Sequence, residues 1–361
     1  AAADVVVKAN SNLDILSVAA SVGVSGTVSL AGAASVQMIN STTHAFIGSN
    51  DSTVSDYASV TAGGNVGVFA DDETKAFMIA GSISIGGAGG GVGAGVGVIN
   101  IEKDTQSYIE NYAVVQADAD SNFFLPVLSG VINSDSEEIF QAKKYKNSAS
   151  TTYGTTTISG VAVQANSSED VFSIAAAGAG GLWAGLAGGV AVSTIESDTS
   201  AYIGGAASIN QNQATAANDQ YVNVAAANDF SAMTIGGGLA GGIAAIAGGV
   251  DVGVVRNNTT AYIGEGANVS ALGDVNVDAL AAKDIDSFGI SASGGVAALA
   301  GSVSVWTIGD EFGSEYEADD GDSTTTNSTS EAVSVSSLTE VNDSASNDDY
   351  GSLMGGRDSN D

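Results

Sequence analysis

The residue types that carry most enzyme chemistry are scarce in this sequence. It has no cysteine, one histidine (His44), and 9 basic residues against 41 acidic ones. Zinc fingers, disulfide scaffolds, cysteine nucleophiles and histidine-based triads within the chain are therefore excluded. Paired carboxylates suffice to hydrolyse a polysaccharide, but such sites usually also carry basic groups for the sugar, and Arg256 and Arg357 are the only arginines. We predict that the protein is not an enzyme and has no catalytic or cofactor-binding residues.

Acidic clusters are the only candidates for metal ligands. Residues 118–122 match the first three ligand positions of a calcium loop, but Phe123 and Ser129 stand where an EF-hand needs glycine and glutamate. Asp71-Asp72-Glu73 and Asp319-Asp320-Gly321-Asp322 could hold Ca²⁺ between neighbouring units, or could be exposed turns of an acidic protein. The metal ligands therefore stay undetermined from sequence, and we predict no cofactor, with Ca²⁺ as the one alternative.

The net charge of −32 limits the partners of the chain. We predict that the chain does not bind nucleic acid directly, because phosphate contacts need clustered lysine and arginine. Residues 310–361 hold 14 of the acidic residues and a single base, Arg357, and are rich in Ser, Thr and Asn. We predict an acidic tail or terminal strand segment in this region.

Two phrases recur along the chain and indicate a repeat of about 60 residues. A Val-x-Val-x-Ala phrase occurs five times, and its second valine stands at positions 7, 68, 163, 224 and 277. A Thr-x-x-aromatic-Ile phrase occurs four times, and its aromatic residues are Phe46, Tyr108, Tyr202 and Tyr262. Both series show one lengthened unit, which places an insertion at about 119–157. Repeats of this length form stacked arrays in which each unit buries its apolar face on its neighbours.

The pattern inside each unit predicts β-structure. Val-x-Val-x-Ala alternates at period two, as a half-buried strand does. Polar stretches such as 71–73 and 102–104 are interpreted as turns on either side of a glycine- and alanine-rich run. We predict an all-β solenoid of about five units over residues 1–309. The recurring aromatics are expected to form a stacked ladder, or alternatively a strip that binds carbohydrate.

Two of the apolar runs are long enough to cross a bilayer as helices. Ala76–Ile101 and Val171–Ile195 each extend for about 25 residues without a charge. They are rich in glycine, contain few large apolar residues, keep alternation at period two, and lack a positively charged flank. We therefore predict buried, tightly packed β-strands and no membrane span.

These units resemble repeats of very large bacterial exoproteins of the filamentous-adhesin type, including the leukotoxin-like filamentous adhesins. The resemblance rests on Val-x-Val-x-Ala, a Gly/Ala-rich run, and then Thr-x-Ala-Tyr-Ile-Gly, as at Thr199–Gly204. It covers roughly residues 4–309 apart from the insertion. It implies a secreted β-solenoid at the cell surface that works in adhesion or as an extracellular fibre. Because the chain starts in register with a repeat, we expect a processed product or a segment of a longer protein.

Two functional hypotheses follow. The first is an extracellular structural protein that self-associates into a surface filament, with other copies of the chain as its partner. The second is an adhesin segment that binds a surface glycan or host receptor through the 119–157 insertion. That insertion contains the only basic cluster, Lys143-Lys144-Tyr145-Lys146, and the only proline, Pro126. Insertions in repeat arrays usually form loops on one face, and such loops often bind a ligand.

Overall fold

The protein forms five stacked coils of β-strand. The structure is a computed structural model that describes residues 3–48, 57–133 and 153–309. Each coil has two long strands joined by a tight turn, and the first four coils add a short third strand. The strands are β1 Val5–Ser25, β2 Ser29–Ile47, β3 Ser59–Ala62, β4 Val66–Gly86, β5 Gly90–Ile109, β6 Val114–Ala117, β7 Leu125–Ile132, β8 Tyr153–Gly181, β9 Ala184–Ile203, β10 Ser208–Ile209, β11 Gln220–Gly241, β12 Ala244–Ile263, β13 Asn268–Val269, β14 Val275–Gly294 and β15 Ala297–Ile308.

Equivalent strands of successive coils pair in parallel and form three sheets. Sheet A has the order β1-β4-β8-β11-β14, sheet B the order β2-β5-β9-β12-β15, and sheet C the order β3-β6-β10-β13. Strand pairing superposes the repeated phrases, so that Val5, Val66 and Val161 are direct neighbours along the stack. The predicted all-β solenoid with parallel strands is confirmed. No helix in the described part of the chain is both long and apolar enough to cross a bilayer.

The interior changes character along each coil. We call the half next to sheet C the base, where valine, isoleucine and alanine side chains from the three sheets form the main hydrophobic cluster. We call the other half, which ends at the tight turn between the two long strands, the arm. The arm comprises residues 17–36, 78–98, 173–192, 234–252 and 287–305. Its inward positions are largely glycine, alanine and serine, as in β5, where Gly91, Gly93, Gly95 and Gly97 face inward.

Small inward residues let the two sheets of the arm approach closely. A Cβ built at Gly95 would lie 2.6 Å from the Ala176 carbonyl oxygen and 2.9 Å from that of Ala80, both on the facing sheet. No side chain fits at that distance. The sequence-based expectation of close packing is confirmed, but the expectation that these runs are buried is only half right, because their large side chains point outward to solvent.

The polar stretches interpreted as turns lie instead in the middle of long strands. Residues 71–73 belong to β4 and residues 102–104 to β5. In each stretch the central residue, Asp72 or Lys103, points into the core, while its neighbours on either side point outward. The strand continues because the inward charges neutralise each other. The prediction of turns at these positions is therefore wrong.

The described part of the insertion folds back onto sheet A. β7 pairs antiparallel with the start of β8, with Leu125 opposite Ile158 and Ile132 opposite Tyr153. It covers the outer face of the base, where Leu128 and Tyr153 pack with Leu280 and with two alanines of β11. The Lys143–Lys146 cluster and residues 310–361 lie outside the described residues.

A pair of adjacent glycines in β9 tests the close approach of the sheets. A Cβ at Gly189 would overlap the carbonyl oxygens of Ala175 and Gly237, whereas a Cβ at Gly188 meets nothing within 4 Å. We expect Gly189→Ala to destabilise the protein by about 1–3 kcal/mol or more, because backbone cannot move aside as a side-chain end does. Gly188→Ala is the matched control and should leave the melting temperature unchanged or raise it slightly. Equal effects of the two substitutions would contradict the packing described here.

Candidate functional site

A cleft opens between the folded-back insertion and the outer face of sheet A. The hairpin of β7 and β8 is anchored by Leu125 and Val127, which pack on Ala162 and Ile158. The Gln164 side-chain oxygen accepts a hydrogen bond from the Leu128 amide at 2.8 Å. Beside these anchors a space of about 370 Å³ remains. Its walls include side chains of Lys8, Asn10, Phe69, Asp71, Pro126, Tyr153, Thr155, Asn166 and Asp229.

The polar groups of the cleft come from four coils and from the hairpin. The Lys8 ammonium lies 5.7 Å from the centroid of the Phe69 ring. Partial burial raises the pKa of Asp71, and the nearby carboxylates of Glu73 and Asp72 raise it further, against a smaller lowering effect of Lys103. The Asn166 side-chain oxygen is buried without a hydrogen-bond partner. The cleft thus offers carboxylate, amide and ammonium groups to a small polar ligand.

A buried ion-pair network lies inside the base, across the sheet from this cleft. The Lys103 ammonium contacts Asp72 Oδ1 at 2.9 Å and Glu169 Oε1 at 3.0 Å, and all three side chains have 0% exposure. It also donates to the carbonyl oxygens of Asp72 and Ser168, at 2.9 and 3.0 Å. A buried ammonium requires compensation of this kind, because charge is costly to remove from water. The network therefore holds the second and third coils together.

Hydroxyl donors complete the shell around Asp72. The hydroxyls of Ser41 and Thr43 each donate to Asp72 Oδ2 at 2.7 Å. Burial by itself would raise the pKa of Asp72, but the Lys103 ammonium and these two hydroxyls outweigh it, so the pKa of this carboxyl is lowered. Asp72 therefore stays ionised and is bound by lysine and hydroxyls rather than exposed for a metal.

Glu169 is held in the same way by the third and fourth coils. The hydroxyls of Ser167 and Ser197 donate to Glu169 Oε1 at 2.6 and 2.8 Å, and the Asn228 amide donates to Oε2 at 3.0 Å. These groups are enclosed by the sheets. No substrate reaches them, so the network is structural. One sequence signal could have revealed this network. When the repeats are aligned, Lys103 is charged where the other coils have the neutral residues Ser41, Ser197 and Asn257.

The predicted aromatic ladder is confirmed on the outer face of sheet B. Phe46, Tyr108, Tyr202 and Tyr262 stack with ring centroids 5.0, 4.9 and 4.9 Å apart and with planes within 4°. Burial by its neighbours, with Tyr108 and Tyr262 on either side, raises the pKa of Tyr202 to about 12. Sugar rings pack on exposed aromatic faces, but here the faces of the inner rings are covered by other rings. We therefore interpret the ladder as a structural element and not as a carbohydrate-binding strip.

The remaining sequence-level candidates are dispersed. His44 pairs with Asp104 at 2.8 Å on the outer face of sheet B. Asp118 accepts hydrogen bonds from Gln116 at 2.9 Å and Thr215 at 2.8 Å. Over residues 3–48, 57–133 and 153–309, no group of three or more histidine, aspartate or glutamate side chains could hold a metal ion. The cluster at 319–322 lies outside those ranges.

Comparisons of the chain with protein-family models, with curated proteins and with solved structures find no match.

Removing the buried ammonium should be strongly destabilising. Lys103→Met leaves Asp72 and Glu169 side by side without a countercharge, and breaking a buried pair in this way costs about 3–5 kcal/mol. The matched control is Lys75→Met, whose partner Glu73 is 2.6 Å away at a partly exposed site, where a loss of at most about 1 kcal/mol is expected. Thermal unfolding followed by circular dichroism measures both. Similar losses for the two variants would contradict the network.

Two neighbouring carboxyls should respond to acid in opposite senses. The pKa of Asp72 is lower in the folded state than its unfolded value near 3.8, so its contribution to stability is full above that pH and is lost as the pH falls below it. The pKa of Asp71 is raised, so its ionisation opposes folding at neutral pH. Melting temperatures from neutral pH to about pH 3 should fall less steeply for Asp72→Asn than for the wild type. Asp71→Asn should not flatten this decline.

Proposed function

We propose that this protein is an extracellular structural protein whose copies join end to end into a surface filament. The observation that carries the proposal is the pair of open ends of the coil stack. β1 and β2 form the first edge of sheets A and B, and β14 and β15 form the last. In the described residues no strand or loop pairs with the outer side of these edges. Long unpaired edge strands are templates for pairing with another chain.

The first edge presents regularly spaced backbone groups. The Val5 amide donates to the Asn65 carbonyl, and the Ser25 carbonyl accepts from the Gly87 amide. Odd-numbered residues of β1 therefore direct their backbone amide and carbonyl groups toward the second coil. Even-numbered residues consequently direct their amide and carbonyl groups to the open side. β2 has the same parity, because the Ile47 carbonyl accepts from the Glu110 amide.

The last coil leaves apolar core residues uncovered. Val275 and Val277 are 44% and 41% exposed, whereas their neighbours in the fourth coil, Val222 and Val224, are at 0%. The first coil of another copy carries Val5 and the same strand pattern, and would cover them with parallel pairing continued. Such a head-to-tail contact does not close on itself, and repeated contacts of this kind give a filament.

The extracellular location rests on different support. The repeat phrases resemble those of secreted bacterial adhesins, and the net charge of −32 favours a hydrated surface that resists lateral aggregation. Both features suit a surface fibre. The location remains part of the proposal.

The cleft favours a second candidate function, a binding segment of an adhesin. Its wall is formed by the insertion, at Pro126, Tyr153 and Thr155, and the unpartnered Asn166 oxygen faces a ligand-sized space. A surface glycan has the chemistry that such amides and carboxylates recognise. Under this alternative the chain works as a single rod and not as a filament.

Negative-stain electron microscopy of the full chain tests the filament. We expect regular filaments for the wild type and short particles for the double variant Asn12→Pro with Asn40→Pro. Proline removes one amide donor from the open side of β1 and one from the open side of β2. It removes no hydrogen bond to the second coil, since the amides of even-numbered residues point away from that coil. Asn12→Thr with Asn40→Thr is the matched control, because it loses the same side-chain contacts to Glu73 and Glu102 and keeps the amides.

The outcomes separate the two functions. Filaments that form for the threonine pair and fail for the proline pair, with equal melting temperatures, support end-to-end pairing. Dispersed single rods of the wild type at every concentration would overturn the filament and favour the adhesin segment.

A further inference from the structure

The arm has an inverted distribution of side chains. Its inward positions are small, and its large aliphatic residues point to solvent on both outer faces. Val22 on sheet A and Leu30 on sheet B, for example, are 73% and 75% exposed. Other exposed members are Val18, Val24, Val36, Ile83, Ile85, Val96, Leu186, Leu239, Ile246, Ile290, Leu299, Val303 and Val305. Monomeric proteins rarely leave so extensive an apolar surface uncovered, so the arm has a partner.

The apolar surface also continues around the tip of the arm. The tight turns between the two sheets expose Val28, Leu182, Trp183, Ile243 and Val296. A flat partner, such as a second sheet, covers one face and leaves the other face and the tip in water. To remove both faces and the tip from water together, the partner must surround the arm.

The arm is free of charge on its outer surface. Asp251 is the only ionisable acid or base in the five arm ranges, and it points inward, fully buried, where Thr234, Ser287 and Trp306 donate hydrogen bonds to it. The base, by contrast, carries ionisable groups on the outer faces of both sheets. The surface therefore has two zones that differ in polarity.

On each sheet the boundary between the zones follows the register of the strands, and on sheet A it lies one row nearer the tip in the last coil than in the other four. On sheet A, Asp14, Lys75, Asp170 and Asp284 stand in one row across the strands. The next outward row toward the tip is apolar in the first four coils, with Leu16, the stacked rings of Phe77 and Phe172, whose centroids are 4.6 Å apart, and Met233, and it ends with Asp286 in the last coil. On sheet B the charged row consists of Glu102, Glu196 and Arg256.

The dimensions of the charge-free zone match those of a bilayer interior. At about 3.3 Å per residue, the arm strand from Met78 to the turn at Gly87 is about 30 Å long. The hydrocarbon core of a bilayer is also about 30 Å thick. The charged rows thus stand where headgroups would begin.

A groove on the outer face of sheet A has the shape of an acyl-chain site. It has a volume of about 910 Å³, a floor that includes Ala176, Gly178 and Gly237, and walls formed by Ile83 and Ile290. The walls stand on β4 and β14, which lie three strand spacings apart in sheet A, or roughly 14 Å between strand axes. A single hydrocarbon chain fits a channel of this width that offers apolar walls and no charge.

We propose that the arm inserts into the hydrocarbon of a lipid bilayer and that this groove receives an acyl chain. The inference rests on the proposed end-to-end assembly, because the edge backbone groups of the arm need hydrogen-bond partners in lipid and a neighbouring copy supplies them. It departs from the expectation of no membrane span, because strands with small residues inside and large residues outside present an apolar surface that buried strands do not.

Flotation with phosphatidylcholine vesicles tests the insertion of the full chain. Zwitterionic lipid is the probe because a chain of net charge −32 is repelled by anionic headgroups. We expect the wild type to float with the vesicles and Val22→Lys with Leu30→Lys to lose about tenfold or more of this binding, since an ammonium is expensive in hydrocarbon. Asn12→Lys with Thr42→Lys adds the same charges to the same strands in the base, opposite Glu73 and Asp104, and should float as the wild type does.

Tryptophan fluorescence gives an independent readout of depth. Trp183 at the tip should shift to shorter wavelength with vesicles and be quenched by brominated acyl chains. Trp183→Phe removes this signal if it arises from the tip, because Trp306 is the only other tryptophan. Circular dichroism of each variant shows whether it is folded.

The outcomes distinguish this inference from the filament proposal. Filaments without flotation and without a Trp183 shift would overturn lipid insertion and leave the filament standing. Lipid-free sedimentation in which the Val22/Leu30 variant loses lateral association that the control keeps would identify a second copy as the partner, and would also overturn insertion. Flotation that fails in the proline edge variant and persists in the threonine control would support both proposals.

Discussion

Parallel in-register pairing of equivalent strands governs the whole structure. Each residue lies about 4.8 Å from its counterpart in the next coil, so every side chain must tolerate a near-copy of itself on either side. Valine columns and the Phe46–Tyr262 ladder satisfy this requirement by packing like on like. Buried like charges cannot do so, and the inward column that contains Asp72 therefore holds Ser11 and Ser167 next to it instead of further acids. Register thus selects composition coil by coil.

The spacing between sheets A and B is the second constraint. Where isoleucine and valine fill the interior, as in the base, the outer face is free to be polar. In the arm, glycines such as Gly95 bring the backbones together, and no room remains inside for the large residues that a strand needs for packing. Those residues occupy the outer face. The thin core and the apolar surface are consequently one feature.

Much of the fold was predictable because it depends on repetition, which a single sequence displays. Two phrases with the same period fix the number of coils, the site of the insertion and the aromatic ladder. The sequence indicates less clearly which side of a strand is buried, since alternation alone does not tell which of two alternating sets faces inward when one is glycine and the other valine, as at Gly97 and Val96. The polar stretch around Lys103 predicts a turn, and no local pattern reveals its compensating partners, Asp72 and Glu169, which lie 31 and 66 residues away. The cleft depends on where the insertion folds, which no local pattern encodes.

Lys103 has a consequence for folding fidelity. The coils are so alike that a strand shifted by one coil would still pair its valines and stack its aromatics, and an array of repeats is exposed to that error. Lysine occurs at this inward position only in the second coil, and only the native alignment places it against both carboxylates. A misaligned intermediate would bury an unpaired ammonium and would be driven to reopen. One ion triad thereby gives nearly identical coils an unambiguous order.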